Sequence, residues 1–298
     1  MIIFNPTRVF MHTKQINDNI TRAFKDIPLP SVTATRLVQL ISAEDYDLDE
    51  VLETLKMDTG MTSHILRVVN SPAFSLLKPV STLDRAVVYL GARDILEISL
   101  INLTSFLKDK KLSGYKADVR DLWRHDLRTA IAARELALMN PEIQPELAFT
   151  AGLLHDIGKV ALSDFFQLSA ENHLQLTDES NELDFLFREK KLLGIDHAEA
   201  GFEIAAIWKL PGSLQSSIRF HHQPSKAEKI YKPLVFLIHI ADILAMMDGF
   251  GSGIDMLQYS LDTAYMDYYD FSMKDISLIQ FKVEEEFQKM ESGIGVGT

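Results

Sequence analysis

The chain has 298 residues, 47% of them hydrophobic and 24% charged, so it is long enough to bury a substantial core as one large domain or two coupled ones. Its formal charge of -12 argues against a field that gathers nucleic acid or anionic lipid, and the absence of cysteine excludes disulfides and thiolate ligands. No stretch of about 18 apolar residues is present, and Met1 to Lys14 lacks the basic and apolar regions of an export signal, so a cytoplasmic protein with no membrane partner is expected.

Helical periodicity dominates from the start. Val38, Leu40 and Ile41, then Leu48, Val51, Leu52 and Leu55, recur at three- and four-residue steps, with Asp45 to Asp49 as the polar break between two helices. Met61, Ile65, Leu66, Val68 and Val69 continue the pattern until Asn70-Ser71-Pro72 stops it. Ser81 to Asp84 reads as a capped helix start, Gly91 as its terminator, and Ile95 to Leu107 as a long apolar helix. The polar stretch Lys108 to Asp121 reads as a boundary, which divides the chain into residues 1–115 and 116–298; within it, Lys108 to Lys111 is the largest basic cluster.

In the second part, Leu122 to Ala137 marks a long helix that ends at Asn140-Pro141. Further helices are expected at Glu146 to Leu154, Gly158 to Phe166, Asp184 to Leu193, His197 to Trp208, Gly212 to Phe220, Pro233 to Met247 and Met273 to Met290, followed by a short Gly-rich tail. The predicted fold is all-α.

Seven side chains in this second part form a candidate metal set: His125, His155, Asp156, His197, His221, His222 and Asp242. They include five of the nine histidines. Imidazole and carboxylate together are a common ligand mixture for divalent transition metals, and without cysteine any ion must be held by nitrogen and oxygen. Each residue also has a plainer reading. His125 alone fits a helix-face histidine bonded to a neighbour; Asp242 lies in the apolar run Val235 to Met247, where a carboxylate is costly unless paired or metal-bound. His239 fits a satisfied core histidine, His64 and Asn70 fit helix packing and a helix stop, and His12 and His173 fit exposed positions. Asp121 and Lys159 lie four residues from His125 and His155 and so share their helical faces.

The run Ala151-Gly-Leu-Leu-His-Asp-Ile-Gly-Lys159 resembles the central motif of the HD metal-dependent phosphohydrolase superfamily. It is accompanied by Leu122-Trp-Arg-His125, Asp196-His-Ala-Glu-Ala-Gly201, Trp208-Lys-Leu-Pro211, Phe220-His-His222 and Ala241-Asp242. The first part is similar to the HDOD family, the HD-related output domain of bacterial signalling proteins, through Leu29-Pro30, Met57-Asp-Thr-Gly-Met-Thr-Ser-His-Ile-Leu-Arg-Val-Val-Asn-Ser71 and Leu83-Asp-Arg-Ala-Val-Val-Tyr-Leu-Gly91. That resemblance covers roughly residues 25 to 245 and implies an N-terminal helical bundle packed on an HD-type bundle.

HDOD domains are usually regarded as non-catalytic output or scaffold modules, and many have lost the HD ligands. The ligand order here is similar to that of the HD-GYP cyclic-di-GMP phosphodiesterases. The chain departs from that group by reading His221-His-Gln-Pro-Ser225 where Gly-Tyr-Pro follows the paired histidines. The superfamily resemblance implies a first ion on His125, His155, Asp156 and Asp242 and a second on Asp156, His197, His221 and His222, of iron, manganese, zinc or nickel. It also implies Asp156 and Lys159 as the catalytic candidates and Asp121 as an outer partner of the metal. Two functions follow as expectations: a signal-transduction output or scaffold module that keeps its metal site and takes its input from a signalling protein partner, or a metal-dependent phosphodiesterase acting on a nucleotide or cyclic dinucleotide. Nucleic acid is not an expected partner.

Overall fold

The computed structural model of the chain describes residues 19–43, 45–118, 120–172, 185–249, 251, 253 and 259–294. His12, His173 and the last residues of the Gly-rich tail lie outside the described residues. Within them the fold is all-α: there is no strand, and one isolated bridge joins Leu112 to Ala117. No helix among the described residues is long and apolar enough to cross a membrane.

The first six helices are α1 (residues 19–26), α2 (Val32–Ile41), α3 (Leu48–Lys56), α4 (Thr59–Val69), α5 (Leu83–Leu90) and α6 (Ala92–Ile101). Four of their starts are held by side-chain caps: Ser31 accepts from the Ala34 amide, Asp47 from Asp49, Asp58 from Met61 and Thr82 from Arg85, each satisfying an amide that the first turn leaves without a partner. Helices α2 and α4 bury one apolar face apiece, as their three- and four-residue spacing requires, α2 through Leu37, Val38 and Ile41 and α4 through Ile65, Val68 and Val69, whereas α6 is buried all round from Ile95 to Ile101. Asn70 does more than stop α4. Its amide donates to Leu66 O and Val80 O at 2.8 Å, and its carbonyl oxygen accepts from Val80 N–H at 2.7 Å, so it clamps residues 71–80 onto the helix. His64 points instead to Arg67, 3.0 Å away.

The long helix expected over Ile95 to Leu107 is divided. Regular α6 ends at Ile101 and a 3₁₀ run continues over Asn102–Asp109. Within that run the Thr104 hydroxyl takes the Ile101 carbonyl, a local bond that competes with the α-helical ladder. Lys110 and Lys111 are exposed, whereas Gly114 and Tyr115 just beyond them are buried.

The remaining helices are α7 (Asp121–Leu138), α8 (Pro145–Leu154), α9 (Gly158–Asn172), α10 (Phe185–Leu193), α11 (His197–Ile207), α12 (Gly212–Phe220), α13 (Lys232–Met247) and α14 (Met273–Gly293). Helix α7 is the axis, buried along almost its whole length and packed on α8, α13 and α14, while α11 lies between α9 and α12. Two glycines set the close approaches. A Cβ on Gly152 would sit 2.8 Å from the α7 backbone at Ala130, and one on Gly158 would sit 1.9 Å from the His197 carbonyl. Any larger residue would therefore push apart the helices that carry the candidate ligands.

The C-terminal helix runs three residues beyond the expected Met290 because its last turns are fastened to α7. Arg124 pairs with Glu291 at 2.7 Å, Arg128 with Glu284 at 2.6 Å while its guanidinium lies over Phe287, and Lys282 with Glu135 at 2.6 Å. Arg134 bridges Glu97 of α6 and Glu286 of α14, so one buried cation joins three helices from distant parts of the chain. Contacts of α2 and α6 with α8 complete the junction, and the buried apolar residues form one continuous core.

Candidate metal centre

All seven candidate ligands meet at one place, although they come from five separate segments. His125 faces inward from the second turn of α7, and His155 and Asp156 occupy the break between α8 and α9. His197 is the first residue of α11, held there by Asp196, whose carboxylate caps the helix; His221 and His222 follow α12; Asp242 lies in the middle of α13. The break after Leu154 matters, because adjacent residues on a continuous helix diverge by about 100° and could not serve one centre.

The donor atoms fall into three overlapping groups, two of which share Asp156. On one side His125 Nε2 is 3.1 Å from Asp242 Oδ1 and 3.7 Å from Asp156 Oδ2, and His155 Nε2 lies 3.6 Å from Asp156 Oδ2 and 3.7 Å from Asp242 Oδ1. On the other side His197 Nε2 and His221 Nε2 are 3.4 and 3.6 Å from Asp156 Oδ1, and His222 Nε2 is 3.1 Å from His197 Nε2. Ligands held about 2.1 Å from one ion at angles between about 90° and 125° lie about 3.0–3.7 Å apart, so these spacings suit a shared cation.

Hydrogen bonding at the far side of each ring fixes which nitrogen faces the centre. His155 Nδ1 donates to Gly152 O at 2.7 Å and His221 Nδ1 to Ile218 O at 2.8 Å, which leaves Nε2 of both rings as a lone pair turned inward. His197 Nδ1 points to Glu189 Oε2 at 2.7 Å, which likewise turns its Nε2 inward. His221 Nε2, His222 Nδ1 and Asp242 Oδ2 are buried and have no hydrogen-bond partner among the described residues. Acceptors turned toward one another in a dry interior repel unless a cation lies between them, so the residues present fit a metal ion. The grouped donor atoms are imidazole nitrogens and carboxylate oxygens.

The electrostatics follow from burial and two carboxylates. Burial opposes ionisation of Asp156, but Lys159, with Nζ 2.5 Å from Oδ2, and the surrounding imidazoles hold it well below the usual carboxylate range. Asp242 is likewise held low against its burial by hydrogen bonds from His125 and His155. Burial pulls His221 down to about 4 and His222 well below its ordinary value, so both rings are neutral and able to ligate. Burial also acts on His197, yet the Glu189 carboxylate outweighs it and raises the ring to about 9, so without an ion Nε2 holds a second proton, which a metal would displace to use that lone pair.

Of two outer positions, one differs from expectation and one agrees. Asp121 does not join the centre; its Oδ2 accepts from the Asp118 amide at 2.8 Å, at the start of α7. His239 is the satisfied core histidine that was expected. It donates from Nδ1 to His221 O and accepts the Asp262 amide on Nε2, and thereby supports the turn that carries His221 and His222.

Three residues escaped the sequence reading. Asp126, next to His125, is fully buried, has no hydrogen-bond partner among the described residues, and groups with His125, His155 and Asp156; burial pushes its carboxyl well above the usual range. Glu189 stands on the stripe of α10 formed by Phe185, Leu186 and Leu193, and a carboxylate at an apolar-stripe position was the available signal. Tyr259 stacks on the His222 ring with centroids 3.6 Å apart, and nothing local in the sequence marks that contact.

Comparison with known proteins agrees with this architecture. The HDOD domain model matches residues 27–224, and the chain belongs to the HDOD family. A solved HDOD domain protein of Geobacter sulfurreducens superposes with a TM-score of 0.65 at 23% identity, over 94% of this chain and 98% of the other. A Shewanella amazonensis structure named "Putative phosphohydrolase" gives 0.61 at 25% identity, over 92% and 97%. An uncharacterized protein of Treponema pallidum is 25% identical over 259 residues; the match takes in 84% of this chain, which spans about half the length of that relative, 48%.

Proposed function

We propose that this chain is a signal-transduction output module of the HDOD family that retains an HD-type divalent-metal site, with places for one or two ions of iron, manganese, zinc or nickel. The observation that carries this reading is enclosure. The seven ligand side chains are each no more than 3% exposed, and Tyr259 lies flat on His222. An enclosed ion joins α7, α11, α13 and the breaks after α8 and α12, so metal occupancy acts on folding and packing. Family membership supports the output role, in which a signalling protein partner supplies the input in the cytoplasm.

The test is metal content and coordination of the purified protein, together with Asp156→Ala. Loss of bound metal and of thermal stability, with no hydrolytic turnover by either protein, supports the module; metal-free wild-type protein overturns it.

A second reading has its own observation. Asp156 belongs to two of the three donor groups and is in contact with Lys159, which would suit ions held on either side of one carboxylate with a cation beside it. In that arrangement bound ions would supply Lewis acidity, and Lys159 would hold charge on a phosphate oxygen. The related Shewanella protein's name supports the same reading. Turnover of cyclic dinucleotides, nucleotides or bis(p-nitrophenyl) phosphate by iron-, manganese- or nickel-loaded protein under reducing conditions decides for a metal-dependent phosphodiesterase with Asp156 and Lys159 as its catalytic groups. Absence of turnover with all three metals removes it.

A further inference from the structure

Glu189 is a buried carboxylate, and both of its oxygens are engaged. Oε2 accepts from the His197 backbone amide at 3.0 Å and from His197 Nδ1 at 2.7 Å, and Oε1 accepts the hydroxyl of Tyr115. Three segments therefore meet at one carboxylate: α10, the first residue of α11, and the buried turn Ser113–Tyr115 that leads from the first six helices into α7. Tyr115 is itself fixed. Its ring stacks on Phe166 at 5.5 Å and packs on Phe185 at 5.8 Å, and the preceding Gly114 amide donates to Ser163 Oγ.

The three imidazoles with an assigned far-side acceptor are supported unequally. His155 and His221 donate to neutral backbone carbonyls, whereas His197 donates to a carboxylate. A charged acceptor makes the stronger hydrogen bond and raises the basicity of the opposite nitrogen, which in His197 is the one facing Asp156 and His222.

We infer that Glu189 is a positioning residue for a divalent ion on the His197 side of the centre, and that Tyr115 holds Glu189 in place from the crossover between the two parts of the chain. This deepens the metal reading above and rests on it. Glu189 touches no ion; it sets the tautomer, ring plane and donor strength of His197. Tyr115 extends that control to the segment through which the first six helices enter the second half.

Glu189→Gln preserves side-chain volume and removes the charge, and Tyr115→Phe preserves the packed ring and removes one hydroxyl. Competition titration of wild type and both variants with Mn2+, Zn2+ and Co2+ reads affinity, the Co2+ absorption spectrum reads ligand geometry, and NMR of the ion-loaded proteins reads the His197 Nδ1 proton. For Glu189→Gln the affinity should fall about 10- to 100-fold, with an altered cobalt spectrum, a shifted or lost proton signal and unchanged helical content. For Tyr115→Phe a smaller loss of about 2- to 10-fold is expected, and this variant carries the test if Glu189→Gln fails to fold. Wild-type affinity, spectrum and proton signal in the variants, beside a wild type that binds the ions, overturn the positioning role alone. A wild type that takes up none of the three ions overturns the metal reading as well.

Discussion

The helices before α7 and those from α7 to α13 are built by different rules. In the first region the interior is apolar: Leu37, Ile41, Leu55 and Ile65 are closed off from solvent, and the polar groups buried there are few, chiefly Glu97 and Ser99 of α6. In the second region the interior holds His125, Asp126, Asp156, Lys159, Glu189, His197, His221 and Asp242. Apolar burial is favourable wherever it occurs, while buried charge is tolerated only with a partner of defined geometry. The first region therefore reads as support, and the second carries the chemistry. Arg134, anchored to Glu97 and Glu286, and Arg128, paired with Glu284, are buried charges of the second region that serve the junction instead.

The largest expected effect breaks that contrast at its centre. Asp156→Ala removes the carboxylate shared by two of the three donor groups and takes from buried Lys159 its 2.5 Å contact. Metal binding should be abolished and stability should fall by about 3–5 kcal/mol, as judged by urea denaturation of metal-free protein. An unchanged midpoint would mean that the buried charges of the second region are held by something else.

A comparable loss of stability should follow from Leu37→Ala in α2, about 2–5 kcal/mol for a side chain with no exposure, but metal affinity should stay at the wild-type value. Together the two variants separate the regions: the first changes both readouts, the second only one. A drop in metal affinity with Leu37→Ala would show that the support and the centre are not independent.

A smaller effect tests the helix starts. Asp58 caps α4 and also accepts the Thr33 hydroxyl at 2.7 Å, and the Met61 amide bond, then Thr33, lowers its carboxyl from 3.8. A carboxyl lowered in the folded state stabilises above its unfolded value and loses that contribution as the pH falls through its folded one, so the effect should disappear in acid, below 3.8. Asp58→Ala should cost about 1 kcal/mol at neutral pH and progressively less as the pH is lowered below 3.8, measured by denaturation across that range. The smallest change is expected for Val88→Ser at an exposed position of α5, within about 0.5 kcal/mol, with metal content unaltered.

Much of this could be read along the chain. The apolar spacing in α2, α4, α7 and α13 marks helices wherever it occurs, because a helix face repeats every three to four residues regardless of what covers it. Boundaries failed for two reasons: α6 gives way to 3₁₀ geometry near Thr104, whose hydroxyl bonds locally to the Ile101 carbonyl, and α14 continues past Met290 where the distant Arg124 holds Glu291. The seven candidate ligands were legible because imidazole and carboxylate are chemically distinctive and their order resembles a known pattern. The resemblance made Asp121 an outer partner of the metal and helical spacing put it on the face of His125, but the helix begins there and its carboxylate accepts the Asp118 amide.

By itself, then, the amino-acid sequence determined the helical class, the inward faces and the chemical types available to a metal centre, since these depend on periodicity and on side-chain chemistry within a few residues. Only the tertiary structure decided that five segments bring those side chains together, that Glu189 backs His197 across eight residues and meets Tyr115 across 74, and that Tyr259 covers His222. Those contacts depend on how helices approach one another. The close packing of Gly152 on α7 and of Gly158 on α11 sets that approach, and no local pattern encodes the partner on the far side.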